Sequence, residues 1–583
     1  MHTLSIASLS MFELWAGAIC ILLLLFSLYN LALPKPIPGI PYNKNATKRL
    51  FGDLPDLFAY QKHHKEQRKW FPAQNMKLNS PVCQVFIRPF SKPRVIVTDY
   101  REAQDILSKR LKEFDRSERV REAWEGVIPH EMLSYKTVDP KFKKHRELLR
   151  DLMSPNFLQN VSAPEIYTKV NNLVKLWREK SLHAEERPFD GKQDIQRAAL
   201  DAITAVSFGL EDENSATRRQ LDDMLSRSHA GAPFAGPEGD IVKFPSLPLT
   251  KELDATLTLI ASAAVGFSSP IPRWHHWFLR QFRYMRDAAR TREEWTRREV
   301  DKAVKTISDG ASENTTVERT ALEYMVLREA AAANKAGRSP RFHRPRIYDE
   351  LFGIIIAGHD TTSATLSWGV RYIADNQGAQ TKLRRHLQAA FPTVLAEHRQ
   401  PTVQEIHGTS IPYLDAVIEE TLRLSTVLPL ITRQATVDTT ILGHAIPKGT
   451  IVFFPLTGPS LIKPAFEVKE NVRSESSQNT KHRVGQWRAE DVEQFIPERW
   501  IDTDDEGVVT FNPAKGPMMT FGSGPRGCFG RKLGYVQLRI FWVLLIWNFE
   551  FLPISPELRT ADVVEAVTTE PLESYIRLRR VKI

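Results

Sequence analysis

Cysteine is scarce in this sequence, with three residues among 583, at positions 20, 83 and 528. An odd number without regular spacing excludes a disulfide-stapled secreted fold and favours a reducing compartment. The sequence also lacks a flavin or dinucleotide fingerprint, long blocks of one charge and internal repeats. These absences exclude a dinucleotide-binding enzyme and a repeat protein, and they leave each cysteine free to act as a ligand.

The composition is that of a globular protein with a large core. Hydrophobic residues make up 42% of the chain and charged residues 25%, which is ample apolar material for a body of this length. The net charge is +10, with lysine and arginine dispersed among acidic residues. This pattern favours an anionic membrane surface or an acidic protein partner, and it makes nucleic acid a poor candidate.

The N-terminal region predicts a membrane anchor. Residues 14–33 carry no charge and at ~1.5 Å per residue span about 30 Å, which is enough to cross a bilayer. Glu13 before this run and Pro34 after it do not suit a cleaved signal peptide. Because the nearby basic residues follow the run, we expect residues 1–13 to be a short lumenal N-terminus and the body to be cytosolic.

Residues 34–43 are rich in proline, which predicts a stiff, extended hinge between membrane and body. Beyond it, helical periodicity dominates from about residue 100 to residue 424, whereas β-type runs occur at residues 81–98 and 439–454. No polar linker divides this body. The sequence therefore predicts a single domain over residues 44–583, mainly α with small β-sheets.

Residues 521–530, with the sequence FGSGPRGCFG, place Cys528 in a glycine-rich loop before an apolar helix expected to begin near Phe529. Glycine curvature can turn backbone N–H groups toward a thiolate, and the start of a helix adds a favourable dipole. A buried structural cysteine is the alternative. The recurrence of glycines around the cysteine favours a metal ligand.

A second pattern lies within the helix predicted at residues 348–376, at Ala357-Gly358-His359-Asp360-Thr361-Thr362. A glycine, an acid and adjacent hydroxyls inside a long apolar helix break local rules, and such breaks tend to mark functional sites. Ala357 and Gly358 leave room for a flat cofactor, while Asp360 and Thr361 supply a proton donor and a hydroxyl. The alternative is a solvated helix face.

A third pattern pairs Glu420 with Arg423 on a helix that follows Pro412, where their i,i+3 spacing puts them on one face. Alone, this is an ordinary surface pair. The segment at residues 495–500, FIPERW, offers a second arginine, Arg499.

Together these patterns resemble the cytochrome P450 family of haem-thiolate monooxygenases, over nearly the whole chain from the hinge to Arg580. The loop matches the family's Phe-x-x-Gly-x-Arg-x-Cys-x-Gly signature, and residues 357–361 match its oxygen-activation motif. The resemblance implies the cytochrome P450 fold after one transmembrane helix. It implies haem b (iron protoporphyrin IX) held in the loop of Phe521, with the sulfur of Cys528 as axial iron ligand.

The resemblance also assigns roles to the other residues. Asp360 would relay protons and Thr361 would position dioxygen by a hydrogen bond. One buried ionic cluster would fix the cysteine loop, formed by Glu420, Arg423 and Arg499. Cations for the haem propionates would come from Arg526, Arg433 and Arg146, with His145 as a residue that could share the role of Arg146. Phe142 departs from the family here, since tryptophan commonly stands at that position.

The function implied is insertion of one oxygen atom from O2 into a lipophilic small molecule. Electrons would come from a separate membrane-bound NADPH-cytochrome P450 reductase, which carries the NADPH and flavins, and the resemblance places the enzyme in the endoplasmic reticulum membrane by a single pass. The hinge, the polar stretch at residues 469–486 and Pro497-Glu498-Arg499-Trp500 resemble fungal members that act in secondary metabolism.

Two other classes stay open at this point. A haem-thiolate isomerase or peroxide-using enzyme would share the loop of Cys528, and so would a non-catalytic membrane haem protein, but neither needs the Asp360-Thr361 pair. Residues 267–278, which include Phe267, Trp274, Trp277 and Phe278, are equally compatible with a membrane-dipping lid and with core. No pattern identifies the substrate.

Overall fold

The computed structural model of the chain describes residues 11–229, 240–269, 271–310, 320–560 and 562–582. Its α-helices, in chain order, are α1 (Met11–Ala32), α2 (Leu54–His64), α3 (Trp70–Lys77), α4 (Tyr100–Ser108), α5 (Glu118–Glu125), α6 (Pro140–Leu148), α7 (Pro155–Phe157), α8 (Ala163–Ala184), α9 (Lys192–Phe208), α10 (Ala216–His229), α11 (Lys251–Ser268), α12 (Pro272–Leu279), α13 (Arg283–Gly310), α14 (Ala321–Lys335), α15 (Pro345–Asp375), α16 (Gln377–Ala390), α17 (Pro392–Ala396), α18 (Val403–Gly408), α19 (Pro412–Ser425), α20 (Glu475–Gln478) and α21 (Arg531–Asn548).

The β-strands are short. They are β1 (Val82–Val85), β2 (Arg94–Val97), β3 (Phe114–Asp115), β4 (Phe189–Asp190), β5 (Leu430–Ala435), β6 (Thr439–Ile441), β7 (His444–Ile446), β8 (Ile451–Pro455), β9 (Ile501–Thr503), β10 (Val509–Phe511), β11 (Phe549–Leu552), β12 (Val563–Glu565), β13 (Thr569–Pro571) and β14 (Tyr575–Arg580). The largest sheet has the order β1-β2-β8-β5-β3. Only β2 and β8 pair in parallel in that sheet of the described chain. The predicted class, mainly α with small sheets, is confirmed.

The N-terminal helix α1 stands apart from the body. The window Trp15–Ala32 has a mean hydropathy of 2.0 and none of it is buried, so its length and composition suffice to cross a membrane. The predicted lumenal N-terminus at residues 1–13 lies mostly outside the described residues, which start at residue 11. The helix begins at Met11, three residues before the uncharged run.

The proline-rich segment at residues 34–43 makes hydrogen bonds with the body. Ile37 and Ile40 are buried. The side chain of Gln84 on β1 accepts a hydrogen bond from the Ile37 N–H and donates to the carbonyls of Ile37 and Ile40, each at 2.8 Å. Hence the chain is attached to the body from Ile37 onward, because a buried amide side chain satisfies the backbone that the prolines leave unpaired.

The helix α15 lies at the centre of the largest core cluster, which draws on α8, α9, α19 and α21 as well. It begins at Pro345, three residues before the predicted start, as suits proline in the first turn of a helix. A Cβ atom added at Gly358 would stand 2.5 Å from side-chain atoms of Ile203 on α9. This glycine therefore allows the two helices to approach closely at the Asp360-Thr361 motif.

Candidate functional site

The loop that carries Cys528 is a tight turn stabilised by its own backbone. Gly522 and Gly524 have φ of +66° and +67°, a conformation that other residues rarely adopt. The Cys528 N–H donates to the Phe521 carbonyl at 2.8 Å, and the Gly527 N–H donates to the Gly524 carbonyl at 2.9 Å. Helix α21 begins at Arg531, two residues later than the sequence predicts.

The Cys528 side chain is exposed, whereas Cys83 is buried in β1 and Cys20 lies on the exposed apolar helix α1. Even so, protein atoms surround the Cys528 thiol on most sides. This desolvation raises its pKa, while the Gly530 N–H and the positive charge of Arg531 act in the opposite direction. A thiol of this kind becomes a thiolate when a cation binds the sulfur.

The Asp360-Thr361 motif lies on a face of α15 that the core does not cover. Ala357 is exposed although the residues before it, Ile355 and Ile356, are buried. The Thr361 hydroxyl donates to the Ala357 carbonyl at 2.6 Å. One oxygen of Asp360 lies 2.9 Å from Nδ1 of the buried His359.

A direct hydrogen bond connects this motif to the helix that follows the cysteine loop. The Thr362 hydroxyl donates to the Gln537 side chain at 3.0 Å, and both residues are buried. Gln537 lies on α21, less than two turns from Arg531. The structure thus brings the Asp360-Thr361 motif and the cysteine loop into neighbouring elements, because α15 and α21 are joined by this hydrogen bond and pack together where Gly369 lies against Trp542.

Three arginines meet in the interior beside the cysteine loop, namely Arg116, Arg433 and Arg526, and we call them the arginine group. Burial, followed by repulsion from Arg116, lowers the pKa of Arg526 to about 9 and that of Arg433 to about 10. Burial likewise lowers the pKa of Arg116. Burial and the repulsion between neighbouring positive charges therefore both disfavour the charged forms of Arg433 and Arg526.

The donors of the arginine group are only partly used. Arg526 donates to the Thr137 hydroxyl at 2.8 Å, to the Met132 carbonyl at 3.3 Å and to the Tyr135 carbonyl. Arg433 donates to the carbonyl of Thr432 at 2.9 Å. The buried Nε of Arg116 has no hydrogen-bond partner among the described residues. Such a group has donors and charge to spare for an anion.

Arg116 is the cation that the sequence analysis missed. It follows the two-residue strand β3 (Phe114–Asp115), and no motif marks it. Its neighbour Asp115 accepts from two N–H groups, those of Arg116 at 2.7 Å and Thr137 at 3.0 Å. Together with a hydrogen bond from the Thr137 hydroxyl, these bonds outweigh its desolvation and leave the pKa of Asp115 below the usual value. Glu131 also lies near Arg116 and Arg526, so two carboxyl groups face three guanidinium groups.

The remaining predicted cations lie elsewhere. Arg146 donates to the Pro525 carbonyl at 3.1 Å, and its guanidinium lies over the rings of Phe142 and Phe529. It thus contacts the cysteine loop without belonging to the arginine group. His145 is buried with its Nδ1 against Glu350, and burial lowers the pKa of its imidazole to about 4. The expectation that His145 shares a cationic role is corrected, because a neutral imidazole paired with Glu350 carries no charge for a carboxylate.

The predicted ionic cluster is one hydrogen-bonded unit. Glu420 receives Arg423 at 2.8 Å and Arg499 at 2.9 Å, and all three side chains are buried. Two donors that the sequence analysis did not foresee complete it: the Ile496 N–H and the Trp500 indole N–H both donate to Glu420 at 2.9 Å.

This cluster is also connected to the cysteine loop. The Thr520 hydroxyl, one residue before Phe521, donates to the Leu422 carbonyl at 3.0 Å, within the helix α19 that carries Glu420 and Arg423. A shift of α19 would therefore displace the start of the cysteine loop.

Apolar side chains from separate parts of the chain form one cluster beside the Asp360-Thr361 motif. Trp124, Ile128 and Ile356 are buried together, with Val567 packed against them. Phe267 belongs to the same cluster and packs edge-on against Trp124, with ring centroids 5.3 Å apart. In contrast, Trp274, Trp277 and Phe278 are exposed. Residues 267–278 are thus core at one end and an exposed aromatic surface at the other, with Pro270 outside the described residues.

Comparisons with known proteins agree with this geometry. The family model described as "Cytochrome P450" matches residues 56–461 and 479–575. The chain is 38% identical to "Cytochrome P450 monooxygenase TRI13" of Fusarium sporotrichioides, over 97% of this chain and 99% of that protein. It is 35% identical to "Cytochrome P450 monooxygenase GME11363" of Pestalotiopsis microspora, over 96% of this chain and 97% of that protein.

A solved structure described as a cytochrome P450DA haem domain superimposes with a TM-score of 0.64 at 16% identity, covering 94% of this chain and 98% of that one. This likeness shows the fold. The chain belongs to the cytochrome P450 family. Membership confirms the predicted fold, the haem cofactor and the monooxygenase class of enzyme, and it does not favour the isomerase or the non-catalytic haem protein.

Removing one cation from the arginine group is expected to weaken haem binding and, in the haem-free protein, to increase stability. Changing Arg116 to glutamine is expected to weaken haem retention, because one cation for the haem carboxylates is lost. The same change is expected to raise the free energy of unfolding of the haem-free chain, since a buried like charge is removed. Haem transfer to an acceptor protein and urea unfolding of the haem-free chain measure the two effects. A loss in both would show that Arg116 is merely structural.

Proposed function

We propose that this protein is a membrane-anchored haem-thiolate monooxygenase that oxidises a lipophilic small molecule in secondary metabolism. When bound, the haem supplies the activation of dioxygen, which thiolate ligation favours by pushing electron density toward the O–O bond. The observation that carries the proposal is the exposed Cys528 in its turn of glycines, next to an arginine group in which three guanidinium groups face two carboxyl groups.

Three features support the fit of a haem to these residues. Cys528 offers a soft sulfur ligand, as transition metals of this kind accept. The exposed Ala357 leaves a shallow face on α15 where a larger residue would project, whereas Gly358 faces Ile203 on α9. The arginine group, with the unpartnered Nε of Arg116, would hold the two carboxylates of the porphyrin. In this assignment Arg433 and Arg526 bind the propionates together with Arg116, and Arg146 supports the loop at Pro525.

On the opposite face, Asp360 and Thr361 would handle protons. The Thr361 hydroxyl donates to the Ala357 carbonyl at 2.6 Å, so its oxygen is free to accept and its proton can be redirected. Asp360 would bring protons from solvent, because its carboxylate is partly exposed while the flanking His359 is buried. Between them these two side chains would deliver protons to the side of the haem that binds oxygen.

The source of the electrons is inferred from what the sequence lacks and from its net charge. No flavin or dinucleotide fingerprint occurs in the sequence, so a separate NADPH-dependent flavoprotein reductase would supply electrons. The net charge of +10 suits an acidic partner.

We place α1 in the endoplasmic reticulum membrane as a single pass with the body in the cytosol. The exposed Trp274, Trp277 and Phe278 would touch the same membrane, beside the apolar cluster of Trp124 and Ile356 through which a lipophilic substrate would enter.

Two threonines one turn apart on α15, Thr361 and Thr365, allow the proposed role of Thr361 in proton delivery to be tested with a control. First, lipophilic metabolites are screened for those that shift the haem spin state, and one such ligand is used with reductase. Thr361→Ala is expected to divert consumed O2 into peroxide, and Asp360→Asn to lower turnover on the order of 10²-fold. Thr365→Ala is the control, because the Thr365 hydroxyl donates to the Thr361 carbonyl at 2.7 Å and Thr365 is buried. Equal peroxide release from Thr361→Ala and Thr365→Ala would contradict the role of Thr361.

A further inference from the structure

The segment at residues 462–478 is not part of the family match, which stops at residue 461 and resumes at residue 479. We call it the clamp segment. It has little regular structure of its own beyond a turn at Glu470–Val472 and the short helix α20 (Glu475–Gln478). Its position is nevertheless defined by two sets of charged contacts. Lys463 pairs with Glu493, and residues 470–477 contact the helix α4 (Tyr100–Ser108) and its N-cap residue Asp99.

The first contact is a buried bidentate ion pair. Arg473 of the clamp segment donates to the two oxygens of Asp99 at 2.6 Å and 2.7 Å, and both side chains are buried. Asp99 at the same time accepts from the Glu102 N–H at 2.8 Å, which caps α4. The clamp segment thus holds the residue that starts this helix, in the fixed geometry of an arginine fork.

Two further contacts lie along α4. Arg101 donates to both oxygens of Glu470, at 2.8 Å and 3.0 Å, and to the Ser477 carbonyl at 2.9 Å. The Ser474 hydroxyl donates to Asp105 at 2.7 Å. With Asp99, these contacts fix α4 at its N-terminus and over the following two turns.

The other end of α4 supports the cysteine loop. The hydroxyls of Ser108 and Ser523 share a hydrogen bond of 2.5 Å. A Cβ atom added at Gly524 would stand 2.3 Å from the Leu107 carbonyl oxygen, so the backbone of the loop lies directly on the last turn of α4. Gly524 lies four residues before Cys528, and its carbonyl accepts the Gly527 N–H.

We propose that the clamp segment positions the sulfur of Cys528 through α4. Arg473, Arg101 and Ser474 are positioning residues: none of them touches the loop, and they act by fixing the helix on which Ser523 and Gly524 rest. This inference builds on the proposed role of Cys528 as haem ligand. It adds that in this chain the geometry of the ligand loop depends on a segment beyond the family match.

The test uses Arg473→Gln in the purified full-length protein, with two readouts. The first is the rate at which the reduced carbonyl complex loses its thiolate-type Soret band in mild urea. The second is amide hydrogen exchange of residues 519–528. Both are expected to become about tenfold faster, because a buried partner of Asp99 is removed and α4 is released. Arg101→Gln, which breaks more exposed contacts, is the variant of smaller expected effect in the same direction, should Arg473→Gln fold poorly.

The matched control is Lys180→Gln. It breaks another buried ion pair, in which Lys180 Nζ lies 2.7 Å from Asp194, between α8 and α9 and at a distance from α4. Its effect on global unfolding should resemble that of Arg473→Gln without faster exchange in residues 519–528. The proposal is overturned if Arg473→Gln leaves amide exchange of residues 519–528 unchanged. It is also overturned if Lys180→Gln makes that exchange faster by the same factor. If the unmodified protein lacks the thiolate-type band, the proposed role of Cys528 fails, while the exchange readout still decides whether the segment holds the loop.

Discussion

Changing Cys528 to serine is expected to abolish the thiolate-type Soret band of the reduced carbonyl complex and all oxygen-dependent turnover. A serine hydroxyl is a harder and much weaker donor than a thiolate, and it does not push electron density toward the iron. The turn itself should persist, because its glycines and the Cys528 N–H bond to the Phe521 carbonyl do not involve sulfur. The loss is therefore expected in a chain that remains folded, as circular dichroism would show.

The other two cysteines provide the controls. Cys20→Ser changes an exposed position on α1, and Cys83→Ala changes a buried thiol in β1. Both variants should keep the thiolate-type band, although Cys83→Ala is expected to lose some stability from the cavity that it leaves. A band that survives Cys528→Ser, or disappears in Cys83→Ala alone, would assign the ligand to another sulfur.

Changing Glu420 to alanine is expected to prevent haem incorporation in the expressed protein. The carboxylate receives Arg423, Arg499, the Trp500 indole and the Ile496 N–H. Its loss leaves the buried Arg423 without a carboxylate and Arg499 with Asp491 alone. Breaking a buried ion pair in this way costs about 3 to 5 kcal/mol. The contact between Thr520 and the Leu422 carbonyl would transmit the resulting displacement of α19 to the cysteine loop. The haem-to-protein absorbance ratio after purification measures the effect.

Glu498→Ala is the matched control in the neighbouring segment. Glu498 pairs with Lys382 at 2.7 Å, but about half of each side chain is exposed. An exposed pair of this kind contributes at most about 1 kcal/mol, so haem content should be nearly unchanged. Normal haem content in Glu420→Ala would refute the role of the ionic cluster, and equal loss in both variants would point to a general folding defect.

The elements that the sequence predicted well are those in which chemistry and local geometry lie in neighbouring residues. The glycines around Cys528 determine their own turn, and the i,i+3 spacing of Glu420 and Arg423 determines a shared face. Likewise, α15 was located to within three residues at its start, because thirty residues of apolar periodicity leave little choice.

Features assembled from distant parts of the chain could not be predicted in this way. Arg116 joins Arg433 and Arg526 only because β3 pairs with β5 and places it there. His145 was expected to be a cation, yet burial against Glu350 decides its charge, and nothing in its local sequence shows that partner. The prolines predict a stiff, extended hinge but not its attachment to the body, because Gln84, more than forty residues later, supplies its hydrogen bonds.

The central claim is that the sulfur of Cys528 binds the haem iron. Iron-edge X-ray absorption of the purified protein tests it directly, because the scattering of sulfur differs from that of nitrogen and oxygen. The account predicts one sulfur beside the porphyrin nitrogens in the first coordination shell, lost in Cys528→Ser and retained in Cys83→Ala. A first shell of nitrogen and oxygen alone in the unmodified protein, or a sulfur that persists in Cys528→Ser, would contradict it.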